Sequence, residues 1–211
     1  MRVRIPLLML ATALVAACSS GTVNTVVFDE GFGGTFPGSG WQVAGAAPAI
    51  DTTAGNPAPS LTWPMCLGSS GGLARVATLF DGAGGLLAAV DFAVTGSAAT
   101  ATTNVDFHAI GLDGADDAAA VIFPPPTNRV TFEIDGQPVN VPLPADHLFH
   151  QLVLEMDGSG LASWFADGAV VMSVGPVSTA NWGIQLECAE VGTAGAPIPV
   201  LLDNVHIEAV P

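Results

Sequence analysis

Val130-Thr-Phe-Glu-Ile-Asp135 alternates apolar and polar residues, with Val130, Phe132 and Ile134 on one face and Thr131, Glu133 and Asp135 on the other. Asp135-Gly136 comes next, and Val139 and Val141 begin the return. A two-residue hairpin turn needs positive φ, so Asp-Gly between alternating segments specifies a hairpin. The pattern recurs downstream. Leu152, Leu154 and Met156 alternate with Val153 and Glu155, and Asp157-Gly-Ser-Gly160 turns the chain. Leu161-Ala-Ser-Trp-Phe-Ala166, the turn Asp167-Gly168 and Ala169-Val-Val-Met-Ser-Val174 complete a three-strand antiparallel meander.

Further strands are expected at 24–29, 40–44, 60–64, 73–80, 86–95 and 102–111, and from Asn181 through Ile184 and Leu186 to Cys188. Pro197 and Pro199 mark an edge or a strand start, after which Val200 to Val210 closes the chain. Asp113-Gly-Ala-Asp-Asp-Ala-Ala-Ala120 reads as a helical turn because Ala favours helix. Pro124-Pro125-Pro126 is a stiff connector. Many short strands at regular spacing, with no longer internal repeat, predict an all-β, two-sheet antiparallel sandwich.

The 211 residues fit one domain. Half of them are hydrophobic, but many are Ala, so the core must rest on Val, Leu, Ile, Phe and Trp. Nineteen carboxylates face four Arg and no Lys, for a formal charge of −15. That balance excludes nucleic acid, which requires a basic footprint, and electrostatic adhesion to anionic lipid. It permits cations and neutral ligands such as glycans.

Met1-Arg-Val-Arg-Ile-Pro carries two positive charges ahead of an apolar run from Leu7 to Ala17, and Cys18-Ser19-Ser20 follows. Charge, apolar run and small-residue exit make 1–17 an export signal, too short to span a bilayer. Val15-Ala16-Ala17-Cys18 resembles a bacterial lipobox, which implies cleavage before Cys18 and a diacylated Cys18. The alternative is an ordinary cleaved leader whose cleavage site happens to precede Cys. Residues 18–25 are then the lipidated Cys and a short tether, and 26–211 the sandwich. Ser19 rather than Asp after the Cys implies, by the same resemblance, the outer membrane of a Gram-negative cell. If Cys18 carries lipid, Cys66 and Cys188 remain as an even pair in an oxidising setting, either bridged or as two buried thiols.

Phe149-His150-Gln-Leu-Val-Leu-Glu-Met-Asp157-Gly, Trp164-Phe-Ala-Asp167-Gly-Ala-Val-Val and Leu202-Asp203-Asn204-Val205-His-Ile follow one another in the order seen in the concanavalin A-like lectin/glucanase superfamily, which includes laminin-G-type modules. Phe28-Asp-Glu-Gly-Phe32 and Trp41 are similar to the first strand of such modules. The resemblance spans about residues 26–210 and implies a jelly-roll sandwich. Phe149 stands where those domains have Trp, and the middle of the chain matches little.

A glucanase of that superfamily carries Glu-Ile-Asp-x-Glu or Glu-Ile-Asp-x-x-Glu. Here Glu133-Ile134-Asp135 is followed by Gln137 and Pro138 at the two places for the last Glu. A retaining glycosidase needs two carboxyl groups, so no catalytic activity is expected. Asp203 shares the parity of Leu201, Val205 and Ile207 and is expected to point inward, where a carboxylate needs a partner. One arrangement, implied by the resemblance, is a structural calcium shared with Asp29 or Glu30; the other is backbone N–H donors from a neighbouring turn. Trp41, Trp63, Trp164 and Trp182 are the candidates for stacking on sugar rings, although sandwich cores also take Trp. The function expected is a lipid-anchored envelope module that binds carbohydrate without turnover. The alternative is a structural envelope lipoprotein that makes protein contacts and has no glycan site.

Overall fold

The computed structural model describes residues 24–64, 66, 71–81, 84–98, 100, 102–111, 117–144, 146–177, 181–189 and 197–210. The leader at 1–17, Cys18 and most of the tether lie outside them. The described residues form sixteen strands and no helix. In chain order these are β1 (Thr25–Glu30), β2 (Trp41–Gly45), β3 (Ala49–Asp51), β4 (Ser60–Thr62), β5 (Gly72–Val76), β6 (Phe80–Asp81), β7 (Gly85–Val94) and β8 (Asn104–Gly111). There follow β9 (Asp117–Phe123), β10 (Arg129–Ile134), β11 (Gln137–Pro142), β12 (His150–Asp157), β13 (Ala162–Ala166), β14 (Ala169–Val174), β15 (Asn181–Ala189) and β16 (Val200–Ala209).

They make two antiparallel sheets packed as a sandwich. The first runs β14-β13-β12-β7-β16-β4-β3, with β1 also paired to β16. The second runs β11-β10-β9-β8-β15-β5-β2, with β6 also paired to β15. Asp135-Gly136 and Asp167-Gly168 each close a two-residue hairpin: Asp135 and Gly136 have φ of 51° and 69°, Asp167 and Gly168 of 49° and 76°. Two positive φ values in succession are what the right-handed twist of the flanking strands demands. The meander is present as β12-β13-β14. The expected strand at 73–80 is broken into β5 and β6, which pair with different parts of β15.

Residues 117–123 form strand β9 rather than the expected helical turn. Ala118 and Ala120 point into the core, and Ala120 lies between Phe107 and Phe132 on the neighbouring strands. Trp164 of the opposite sheet packs on both phenyl rings, at 5.8 Å from each, and donates its indole N–H to the Glu133 carbonyl at 3.0 Å. Small side chains on β9 leave the volume that the Trp fills, so packing overrides the helix preference of Ala.

Asp203 does not point inward. On β16, Asp203 lies opposite Asp91 and His206 opposite Ala89, so Asn204 and Val205 together oppose one residue of β7. This β-bulge, with Asn204 at a φ of 49°, reverses the parity. Val200 and Leu202 before it, and Val205 and Ile207 after it, all face the core, while Leu201 and Asp203 face out.

Cys66 and Cys188 form a disulfide with a Cα–Cα distance of 6.0 Å. Cys188 lies opposite Gly72, against which Trp63 packs with its indole N–H donated to the Ala46 carbonyl at 3.1 Å. A Cβ on Gly72 would come within 2.5 Å of that carbonyl oxygen. Gly72→Ala is therefore expected to destabilise the fold by about 1–3 kcal/mol through overpacking. Loss of the disulfide in Cys66→Ser/Cys188→Ser is expected to cost about 2–5 kcal/mol. Denaturant unfolding measures both, and a midpoint unchanged in either variant would count against this packing.

Candidate functional site

None of the four Trp residues offers a sugar platform. Trp41, Trp63, Trp164 and Trp182 are 6%, 0%, 0% and 1% exposed, all within the single core cluster. Trp41 donates to Glu30 at 3.3 Å, and Trp63 and Trp164 donate to backbone carbonyls. Each fills part of the space between the two sheets, beside the buried Phe, Leu and Ile side chains.

The Asp29, Glu30 and Asp203 set does not assemble either. Asp29 pairs with His206 at 3.2 Å. Glu30 accepts from the Phe32 N–H at 2.7 Å and from Trp41. Asp203 accepts the backbone N–H groups of Asn56 and Asn204. An apolar cavity of about 470 Å³ opens between β10, β11 and the β12–β14 meander, lined by Phe92, Phe132, Val141, Leu152 and Val171. Its one carboxylate, Asp167, is held by His150 and the Gln151 N–H. The cavity therefore has no converging polar groups to fix a sugar.

Polar groups do converge on the outer face of the second sheet. Inward Val105, Phe107 and Ala109 turn Asn104, Asp106 and His108 of β8 outward. Inward Trp182, Ile184, Leu186 and Cys188 do the same for Gln185 and Glu187 of β15, and Ala74 for Arg75 of β5. The register then sets these side chains side by side. Glu187 lies opposite Asp106, Gln185 lies opposite His108 on one side and Arg75 on the other, and Gln42 lies opposite Arg75. From β2 to β8 the band crosses four adjacent strands, about 14 Å at the usual strand spacing. Beyond Ala119 and Val121 of β9, Thr131 of β10 and Asn140 of β11 are joined at 2.7 Å.

The band is internally ordered. Arg75 donates from Nε and Nη2 to Gln185 Oε1 at 3.1 and 2.8 Å, and Gln185 donates in turn to Glu187. Asn104 donates to Asp106, and His108 Nε2 pairs with Asp117. Burial pushes the Asp106 carboxyl up to about 6; the Asn104 hydrogen bond opposes this and the Glu187 charge adds to it. Burial also works against a charged His108, but the Asp117 carboxylate, helped by Glu187 and Asp106, outweighs it and raises the imidazole pKa. His108 Nδ1 is buried with no hydrogen-bond partner among the described residues. Directly opposed carboxyl groups, one of them with its pKa raised by burial, with amide and guanidinium donors beside them, suit hydroxyl recognition.

Reasoning from sequence missed this band. The polar-x-polar spacing was visible in Asn104-Val-Asp106-Phe-His108 and Gln185-Leu-Glu187, inside two expected strands. Glu133, one residue before the end of β10, faces outward, and Asp135 is the first residue of a hairpin turn.

Neither a protein-family model nor a curated protein matches the sequence. Solved structures do share the fold. The Crh5 transglycosylase in complex with NAG is 13% identical with a TM-score of 0.65, over 87% of this chain and 84% of that one. An endo-1,3-beta-glucanase from Streptomyces sioyaensis is 16% identical with a TM-score of 0.56, over 83% and 98%. The Emp47p carbohydrate recognition domain is 10% identical with a TM-score of 0.60, over 90% and 96%. At these identities the likeness establishes the fold, a concanavalin A-like jelly-roll sandwich. It also corrects the expectation of a chain without catalytic activity: transglycosylase and glucanase enzymes share this fold, so one incomplete motif at Glu133-Ile134-Asp135 does not exclude catalysis.

Proposed function

We propose that this is an exported, lipid-anchored domain that acts on or binds carbohydrate through the outer face of its second sheet. The observation that carries the reading is the band of Arg75, Gln185, Glu187, Asp106, Asn104 and His108, held in register on three adjacent strands. Amide, carboxyl and guanidinium groups match the paired donors and acceptors of sugar hydroxyls, and fixing them beforehand lowers the ordering cost of binding. Four acidic groups, Asp106, Glu187, Glu133 and Asp117, lie on or beside the band and disfavour polyanionic glycans. The solved structures that share the fold include glycan-active and carbohydrate-recognition proteins, which supports the same ligand class. Anchoring rests on the Ala16-Ala17-Cys18 sequence after a charged, apolar leader.

The protein is expected to be retained on insoluble neutral polysaccharides, with and without calcium. Gln185→Ala, which frees both Arg75 and Glu187 from their shared partner, is expected to cut retention about tenfold, on the order of 1.4 kcal/mol. Glu155→Gln on the other sheet should leave retention unchanged. Reducing ends released in the same tube measure turnover. Retention on no polysaccharide, or retention indifferent to Gln185→Ala, overturns the reading in favour of an envelope protein-contact role. Incorporation of labelled palmitate by the wild type but not by Cys18→Ser tests the anchor.

Asp106 supplies a pH test. Its pKa is raised from 3.8 to about 6 on folding, so the folded chain keeps a proton that the unfolded chain releases. Stability tied to this group is complete below 3.8 and is lost as pH rises through about 6. Asp106→Asn removes that loss. Its denaturant midpoint should gain on the wild type between about pH 4 and 7. A difference that stays flat across that range would show that the Asp106 proton is not held by the fold.

A further inference from the structure

His150 opens β12 with the parity of Leu152, Leu154 and Met156, so its ring turns to the side of the sheet that holds the core. It packs on Phe92, its partner on β7, with ring centroids 5.8 Å apart. Phe92 and Leu152 both line the apolar cavity. Each ring nitrogen meets a carboxylate from a different part of the chain. Nδ1 lies 2.8 Å from Asp167 Oδ2 in the β13–β14 turn. Nε2 lies 3.0 Å from Asp146 Oδ1 in the segment that leads into β12.

These two contacts fix the protonation of the ring. An ionised carboxylate only accepts hydrogen bonds, and a neutral imidazole has a single N–H to give. Both are satisfied together only when His150 is an imidazolium. Nothing else packed around the ring can replace it. Asp91, next to Phe92 on β7, turns to the outer face and is held there by the amides of Asn56 and Asn204. His147 is bonded to the Val94 carbonyl at 2.8 Å. Across the cavity, Phe132, Val139 and Val141 of the second sheet are apolar. Among the described residues no Arg pairs with Asp146 or Asp167.

We infer that His150 is a pH-operated latch, which as imidazolium ties segment 146–149 to the β13–β14 hairpin and on deprotonation lets that segment go. Asp167 keeps its place without the charge, because its carboxylate accepts the Gln151 N–H at 2.9 Å and its own N–H donates to the Gln151 carbonyl at 2.9 Å. The other bond of the Asp146 side chain is local, from the Leu148 N–H at 3.1 Å. Segment 146–149 is therefore the end released. Burial opposes charge on the ring, but the hydrogen bonds and charges of Asp146 and Asp167 outweigh it and raise the imidazole pKa above 6.5. The latch is accordingly closed below 6.5 and opens as pH rises through that raised value. Asp167 lines the cavity, so the latch acts at its edge, on the sheet that does not carry the polar band. It is independent of the carbohydrate reading.

Amide exchange of the purified protein at about pH 5 and about pH 8 tests the latch, with each rate divided by the intrinsic rate at that pH. Protection of residues 146–149 is expected to fall severalfold at the higher pH in the wild type. His150→Phe keeps a ring against Phe92 but donates nothing, so its protection should be low at both pH values. Asp146→Asn changes an exposed side chain, and it decides the matter if His150→Phe does not fold. In it the pH dependence should shrink, and the His150 ring protons, followed by NMR, should titrate at a lower pH than the wild type. Equal protection at the two pH values in the wild type, or an unchanged pH dependence in Asp146→Asn, overturns the proposal. No sugar enters the measurement, so failure of the carbohydrate reading leaves its result readable.

Discussion

Two sheets stay together only if side chains fill the space of about 10 Å between them, and here that space is closed around Trp164. The Trp rises from β13 of one sheet and reaches the backbone of β10 in the other, the indole N–H satisfied by the Glu133 carbonyl. Phe107 and Phe132 brace its ring, and the Ala residues of β9 make room for it. Trp63 and Trp182 are equally buried in the same core. The same requirement strips the protein of the exposed aromatics a sugar platform would use.

Strand period then sorts what remains. When alternate residues are committed to the core, the others must face out, and their chemistry is free to differ between the sheets. The second sheet turns a chain of hydrogen-bonded polar groups outward, from Arg75 through Gln185 to Glu187 and across to Asp106. The first sheet hides its central carboxylates under the Asn56 segment. The two faces therefore differ in chemistry, one a polar hydrogen-bonded network and the other a covered pair of carboxylates. Both follow from a net charge of −15 distributed by a two-residue period.

Much of the fold is legible in the sequence because the evidence for it is local. The hairpins at Asp135-Gly136 and Asp167-Gly168, the β12–β14 meander and the strand containing Asn104 to Ile110 all follow from alternation and turn chemistry. Where tertiary contacts decide, local reading fails. Ala118 and Ala120 prefer helix in isolation, but both are buried on β9, Ala118 between Ala109 and Ile134 and Ala120 between Phe107 and Phe132. Asp203 follows the parity of its neighbours until a bulge at Asn204 turns it to the other face. No residue type announced that bulge, and with it fell the calcium set built on Asp29 and Glu30.

By itself the sequence determined the fold class, most strand positions and the strongly acidic composition. These depend on spacing along one strand or on composition, and both are present before any folding. Tertiary structure decided which strands lie side by side. It set Glu187 against Asp106, Gln185 between Arg75 and His108, and Ser60 next to Asp203, from positions far apart in the chain. It also decided that all four Trp residues go inward, because the volume between two sheets is a property of their packing. Register across a sheet is set by long-range pairing, and no single strand carries it.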